Sequence, residues 1–342
     1  MSHAHTKLAG LYAYPTVIPE IPANKDAKLV LVTGGAGFVG SHVIDRLMLQ
    51  GHRVLTGCLD NFYTGSKRNI AHWADHPNFC LLSHDITDPL LIDVQFDRIY
   101  HLACPASPPH YQSDPIATLK TAFMGTLHML DLAKRTGARF LLSSTSEIYG
   151  DPQVHPQPET YWGNVNSIGP RACYDEGKRV SEALVYSYTG VDIRVARIFN
   201  AYGPRLSPSD GRVISNFLTQ SIQGLPLSVY GDGSTSRSYQ YIHDLVDGLL
   251  LLMESQYSLP INIGNTCEYN LIQLANLVIK ITGSASDIVF AEAPIDDPHR
   301  RRPDISRAKE ILGWEPKWDI EQGIRETAEW FRTISMELRP EI

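Results

Sequence analysis

No stretch of the chain approaches the roughly 20 consecutive apolar residues that span a bilayer, and its first residues lack the basic-then-apolar pattern of a secretory signal. A membrane role and secretion are therefore not expected. Basic residues are in deficit, with 30 Lys and Arg against 37 Asp and Glu and a net charge of -7. That balance excludes a nucleic-acid partner, because phosphate backbones are bound by basic faces. Cysteine is sparse: Cys58, Cys80, Cys104, Cys173 and Cys267 are odd in number, scattered, and form no Cys-x-x-Cys. Neither a disulfide framework nor a metal site is expected, and the reading is a cytoplasmic, reducing location. What is present is 342 residues with 43% hydrophobic content, enough for a large core and for two lobes or one enlarged domain.

Residues 1–27, with Pro15, Pro19, Pro22 and no clear period, read as a disordered leader. Lys28–Thr33 is a short apolar run of the kind found in buried parallel strands. Val39, Val43, Ile44 and Leu47 then repeat at helical spacing through Gln50. Further strands are expected at Val54–Leu59, Arg98–Leu102 and Arg139–Ser143, and helices over Ser113–Arg135 and Ala172–Tyr188. Alternating strands and helices imply right-handed crossovers and an α/β fold with a doubly wound parallel Rossmann sheet. Residues 28–202 read as this dinucleotide-binding domain. From Gly203 turn-rich segments such as Gly231-Asp232-Gly233-Ser234 separate short strands from helices near 213–223, 243–255 and 270–282. Residues 203–335 therefore read as a smaller α/β substrate lobe interleaved with the sheet.

Thr33-Gly34-Gly35-Ala36-Gly37-Phe38-Val39-Gly40 follows a strand and opens a helix, the setting of a phosphate-binding turn. Gly34 permits the tight turn, Gly37 lets backbone approach a pyrophosphate, and Gly40 allows close helix–sheet packing. The bland reading of such a triplet is a plain βα turn, but Asp60, 20 residues beyond Gly40, adds a ribose-binding carboxylate at the second strand's end. A carboxylate there favours NAD over NADP, since it repels a 2′-phosphate. Asp85 is a candidate for the adenine amino group, or simply a loop residue.

Tyr174 and Lys178 are one helical turn apart, so the lysine charge can stabilise a phenolate on the same helix face. A tyrosine needs that help, because its ordinary pKa is about 10. Alone the pair could be an incidental surface pair. It follows a hydroxyl-bearing strand end, Ser143-Ser144-Thr145, and the three side chains together suit removal of a proton from a substrate hydroxyl.

With Val32–His42, His101–Pro108, Ser144–Pro152, Gly169–Arg179, Arg197–Arg205 and Asp210–Val213 in view, the chain resembles the extended short-chain dehydrogenases/reductases. More narrowly it is similar to the UDP-glucuronate decarboxylases among them. The resemblance implies NAD-dependent oxidation at C4 of UDP-glucuronate, loss of CO2 from the resulting β-keto acid, protonation at C5 and return of hydride to give UDP-xylose. It assigns Thr145, Ser146, Glu147, Tyr174 and Lys178 to catalysis, with Glu147 positioning groups or shuttling protons near C5. It adds Phe38, Val39, Asn61, Ile86 and Leu102 to the cofactor site beside Gly34, Gly37, Gly40, Asp60 and Asp85. It implies substrate contacts from Tyr111, Lys120, Arg171, Asn200, Arg212, Arg237 and Arg301, guanidinium forks being suited to a carboxylate or diphosphate. A homodimer paired through the helices after Ser113 and Ala172 is implied as well.

Three rival readings share the scaffold. A sugar-nucleotide 4,6-dehydratase carries an aspartate where this chain has Ser146, which has no acid group to protonate a leaving hydroxyl. A UDP-sugar 4-epimerase usually lacks the glutamate at 147. A silent NAD-binding scaffold would have lost Thr145, Tyr174 or Lys178, and all three are intact.

Overall fold

The structure, a computed structural model, describes residues 24–58 and 61–337, with side chains described for 24–54 and 61–334. Most of the expected leader, and Asp60, lie outside the described residues. Seven parallel strands form the central sheet: β1 (Leu29–Thr33), β2 (Arg53–Cys58), β3 (Phe79–Ser83), β4 (Arg98–His101), β5 (Arg139–Thr145), β6 (Ile193–Ile198) and β7 (Ile261–Ile263). Their order is β7-β6-β5-β4-β1-β2-β3. The order reverses between β1 and β4, and ligands of open α/β sheets bind in the crevice at that reversal.

Both faces of this sheet are covered, which is why its strands read as unbroken apolar runs. Along β1, Val30 and Val32 enter one hydrophobic cluster with Val43, Ile44, Leu249 and Phe331. Leu31 points the other way, into a second cluster with Ile99, Met129, Phe140 and Val195. Each such side chain, fully buried, contributes about 1.5–3 kcal/mol. Helix α1 (Phe38–Leu49) packs on the first face, and α2 (Thr126–Thr136) and α3 (Ala172–Ser187) belong with the second.

The single helix expected over Ser113–Arg135 is interrupted. A short helix ends at Ser113, Asp114 caps the next by accepting from Ala117 N–H at 2.9 Å, and Pro115 opens it. A π-turn at Thr121–Gly125 then leads into α2. Strands β3 and β7 escape sequence reading because β3 is largely exposed and β7 has only three residues. β7 comes from the C-terminal half of the chain and pairs with β6. A small sheet places Ser236–Ser238 between Glu268–Asn270 and Arg300–Arg301, with Arg301 in register beside Arg237.

Candidate active site

At the sheet's C-terminal edge a cavity of about 870 Å³ runs from the glycine turn to the small three-stranded sheet. Gly34 turns at φ +68, and a side chain there would strike Ala103 backbone at 2.9 Å. A Cβ on Gly40 would fall 2.1 Å from Gly34 carbonyl oxygen, so strand and helix meet too closely for any other residue. Gly37 caps α1 with no side-chain hydrogen bond, leaving the first N–H groups of the helix facing the cavity. These are the donors and dipole end that hold a diphosphate. Thr33 hydroxyl ties the rims of β1 and β4 by accepting from Leu102 N–H and Ala103 N–H, both at 3.1 Å.

Phe38, Val39, Asn61, Asp85, Ile86 and Leu102 all line this end of the cavity. Asn61 donates to Asp85 at 3.0 Å, and Thr87 donates its N–H and hydroxyl to the other Asp85 oxygen. Partial burial works against ionisation of Asp85, but these hydrogen bonds outweigh it and lower its pKa.

Thr145 ends β5 and accepts the Glu147 N–H at 3.2 Å, which fixes the turn carrying Ser146 and Glu147. Tyr174 and Lys178 arrive from α3, both buried. Lys178 Nζ lies 6.0 Å from the Tyr174 ring centre and donates to Ser143 carbonyl oxygen at 2.8 Å. Tyr111 stacks on Tyr174 with 5.1 Å between ring centres. Burial, with Cys104 and Glu147 nearby, raises the Tyr174 pKa, while Thr145 and Arg212 pull it down. Gly177 lets this helix approach closely, since a Cβ there would lie 3.0 Å from Ala122.

Glu147 is held between two guanidinium groups, Arg171 on one carboxylate oxygen and Arg301 on the other. Burial alone would raise its pKa; Arg171 and Arg301 outweigh burial and lower it. Among the three consecutive arginines Arg301 is the buried one, and it also donates to Gly150 carbonyl oxygen at 2.8 Å. Arg237 is buried and pairs with Asp297 at 2.9 Å, whereas Arg212 grips Asp210 through two nitrogens at 2.5 and 2.9 Å. Asn200 and Tyr111 line the cavity too.

Lys120 does not join them. It is exposed, because Ala117, Thr118 and Thr121 form the cavity-facing stripe of that helix and Lys120 lies off it. Asp297, the counter-ion of Arg237, gave no sequence signal, while Asp210, which holds Arg212, and Asp175 lie within segments that carry the resemblance but are given no role by it. Among the described residues no group of three metal-ligating side chains occurs, and no helix is long and apolar enough to cross a membrane.

A profile of the GDP-mannose 4,6 dehydratase family matches residues 31–327. The chain is 56% identical over 322 residues to UDP-glucuronic acid decarboxylase 1 of Xenopus tropicalis, covering 93% of this chain and 75% of that one. Among solved structures, UDP-glucose 4-epimerase from Thermotoga maritima with UDP-glucose superposes with a TM-score of 0.82 at 32% identity, covering 90% of this chain and 99% of that one. dTDP-glucose 4,6-dehydratase from Bacillus anthracis in complex with NAD gives 0.79 at 25% identity, covering 91% and 98%. The chain belongs to the UDP-glucuronic acid decarboxylase family of extended short-chain dehydrogenases/reductases.

Proposed function

We propose that the protein converts UDP-glucuronate to UDP-xylose and CO2, using bound NAD without net consumption. The observation that carries this reading is Glu147, fixed by Arg171 and Arg301 within the cavity that also holds Thr145, Tyr174 and Lys178. Gly37, Asn61 and Asp85 offer a helix N-terminus and polar groups fitted to a dinucleotide, with Asp60 expected on the ribose. Acceptance of hydride from C4 and its return are the chemistry that bound NAD would supply.

Tyr174 takes the C4 hydroxyl proton on its phenol oxygen and later returns it. Its burial makes the phenolate costly, so Lys178 and the Thr145 hydroxyl must stabilise that oxygen during transfer. The C5 carboxylate then stands β to a ketone, and CO2 leaves with its electron pair passing to the carbonyl as an enolate. Glu147 presents Arg171 and Arg301 toward the sugar carboxylate as one preorganised unit, and Ser146 offers no acid for the dehydration that a sugar with a C6 hydroxyl would undergo. Arg212 and Arg237, with Asn200, receive the UDP diphosphate by exchanging their carboxylate partners for phosphate oxygens.

A homodimer fits the surface. Ile116, Leu119, Phe123, Met124, Val180 and Tyr186 expose apolar side chains on the paired helices around α2 and α3, a concentration suited to burial against a second copy.

The test is to incubate the protein with UDP-glucuronate and catalytic NAD⁺ and follow CO2 and the nucleotide sugar by mass and NMR. CO2 with UDP-xylose supports the reading. UDP-galacturonate without CO2 would make it an epimerase and remove the role given to Glu147.

A further inference from the structure

Decarboxylation of this substrate consumes one proton per turnover. The carboxylate leaves as neutral CO2, C5 gains hydrogen, and Tyr174 gives back the proton that it took. A proton must therefore come from another group and be replaced from solvent, and the catalytic set above contains no acid that holds one.

Asp175 is placed to do so. It is 5% exposed, on α3 directly after Tyr174, and its Oδ1 has no hydrogen-bond partner. Its Oδ2 stands 3.9 Å from Arg171 Nε, beyond hydrogen-bond reach, while the same guanidinium donates to Glu147. Two carboxyl groups thus share Arg171, and Glu147 has Arg301 in addition. Like charges so close cannot both ionise cheaply, so the better-partnered group takes the charge and the other keeps the proton. Burial, then Glu147, raise the Asp175 pKa against the pull of Arg171 and Arg301. Glu176, on its own helix, acts in the same direction.

Behind Asp175 lies a second cavity of about 470 Å³, lined also by Arg171, Asp151, Asp297 and His299. Asp297 approaches Arg171 at 3.9 Å, and His299 pairs with Asp151 at 2.9 Å near the surface. Asp175 lines this cavity and not the larger one; the two share Arg171 and Asp297, and the exposed His299 side chain also lines the second.

We propose that Asp175 is a positioning residue that stores the proton consumed at C5: its neutral acid leaves Arg171 wholly to Glu147, and the second cavity reloads it from solvent. The proton leaves Asp175 Oδ1 through water passing the shared residues Arg171 and Asp297, the C5 enolate takes it up as its C–H bond forms, and solvent returns one proton to the resulting carboxylate. No oxidant or metal enters this step. The inference rests on the decarboxylase reading.

The test is a single turnover of UDP-glucuronate with the NAD-loaded full chain, following reduced-nicotinamide absorbance and CO2 over a range of pH. Reduced nicotinamide should rise with C4 oxidation and decay after C5 protonation. For the wild-type protein the decay should slow as pH rises, because the acid form is required. Asp175→Asn should leave the rise intact, slow the decay roughly 10-fold and flatten its pH dependence, with Asp175→Glu restoring both. A normal decay with the normal pH profile in Asp175→Asn overturns the inference while leaving the reaction assignment standing. If Asp175→Asn does not fold, a pH-independent wild-type decay overturns it equally. Absence of CO2 from the wild-type protein overturns both readings together.

Discussion

Lys178 Nζ reaches past the Tyr174 ring to donate to the carbonyl oxygen of Ser143 at 2.8 Å, so the lysine is anchored to β5 rather than free beside the phenol. The contact fixes where the positive charge stands and joins α3 to the strand that delivers Thr145. Replacing it by methionine removes the charge while keeping most of the apolar stem. Lys178→Met should lower turnover by roughly 10²–10⁴-fold. It should also cost about 1–3 kcal/mol of stability, since a buried carbonyl oxygen loses its donor. Steady-state rates and urea midpoints measured together check both parts; full activity in a destabilised protein would leave Lys178 a purely structural role.

Tyr174→Phe deletes one oxygen from a ring that stays stacked on Tyr111. Turnover should be abolished, with NAD and UDP binding nearly unchanged by calorimetry. Retained turnover would move the base elsewhere.

Glu147→Gln leaves Arg171 and Arg301 facing a neutral amide. Decarboxylation should suffer more than C4 oxidation, so reduced nicotinamide should accumulate during turnover; an equal fall in both steps would refute the separation. The same change alters the stability profile. The Glu147 carboxyl is depressed in the folded protein, so its contribution is present above the unfolded value of about 4.3 and is lost as pH falls through the lower folded value. Glu147→Gln should therefore lower stability near neutrality, by up to about 3–5 kcal/mol, and make the acid limb of a urea-midpoint profile shallower.

Gly40→Ala places a methyl 2.1 Å from Gly34 carbonyl oxygen and 2.8 Å from Gly35 Cα, all rigid backbone of the turn. The helix must move away from the turn, so its N–H groups no longer converge on a diphosphate. NAD affinity should fall by 10-fold or more, roughly the loss of one charge-assisted hydrogen bond. Fluorescence titration checks this, and an unchanged affinity would mean that the turn tolerates the shift.

The parts of this site legible in the sequence are those built from local spacing. Gly34, Gly37 and Gly40 announce a strand–turn–helix because each answers a backbone requirement within one turn, and Tyr174 with Lys178 follows from the helical repeat alone. Arg301 is different. Which of Arg300, Arg301 and Arg302 turns inward depends on pairing with Ser236–Ser238, a partner more than sixty residues away in the chain. Asp297 was invisible for the same reason, since its role comes from Arg237, 60 residues away in the chain, whereas Asp175 stands one helical turn after Arg171 and needs the fold only to bring Glu147 to the same guanidinium. Lys120, implied as a substrate contact by the resemblance alone, stands on a helix that starts at Pro115 and presents Ala117 and Thr118 to the cavity instead.

Asp297 holds Arg237 at 2.9 Å and faces Arg171 at 3.9 Å, so one exposed-side carboxylate stands in for substrate anions at two cationic positions. UDP must compete with it for Arg237, because a guanidinium fork cannot serve both partners fully. Asp297→Asn keeps the side chain's shape and removes that competition. UDP should then bind more tightly, by up to about 10-fold, or 1.4 kcal/mol, and the gain should shrink as salt screens the pair. Turnover should change less than KM, since Asp297 meets none of Thr145, Tyr174 or Lys178. Weaker UDP binding would instead mean that Asp297 orients Arg237 for the diphosphate, because a counter-ion that only competes can be removed without loss.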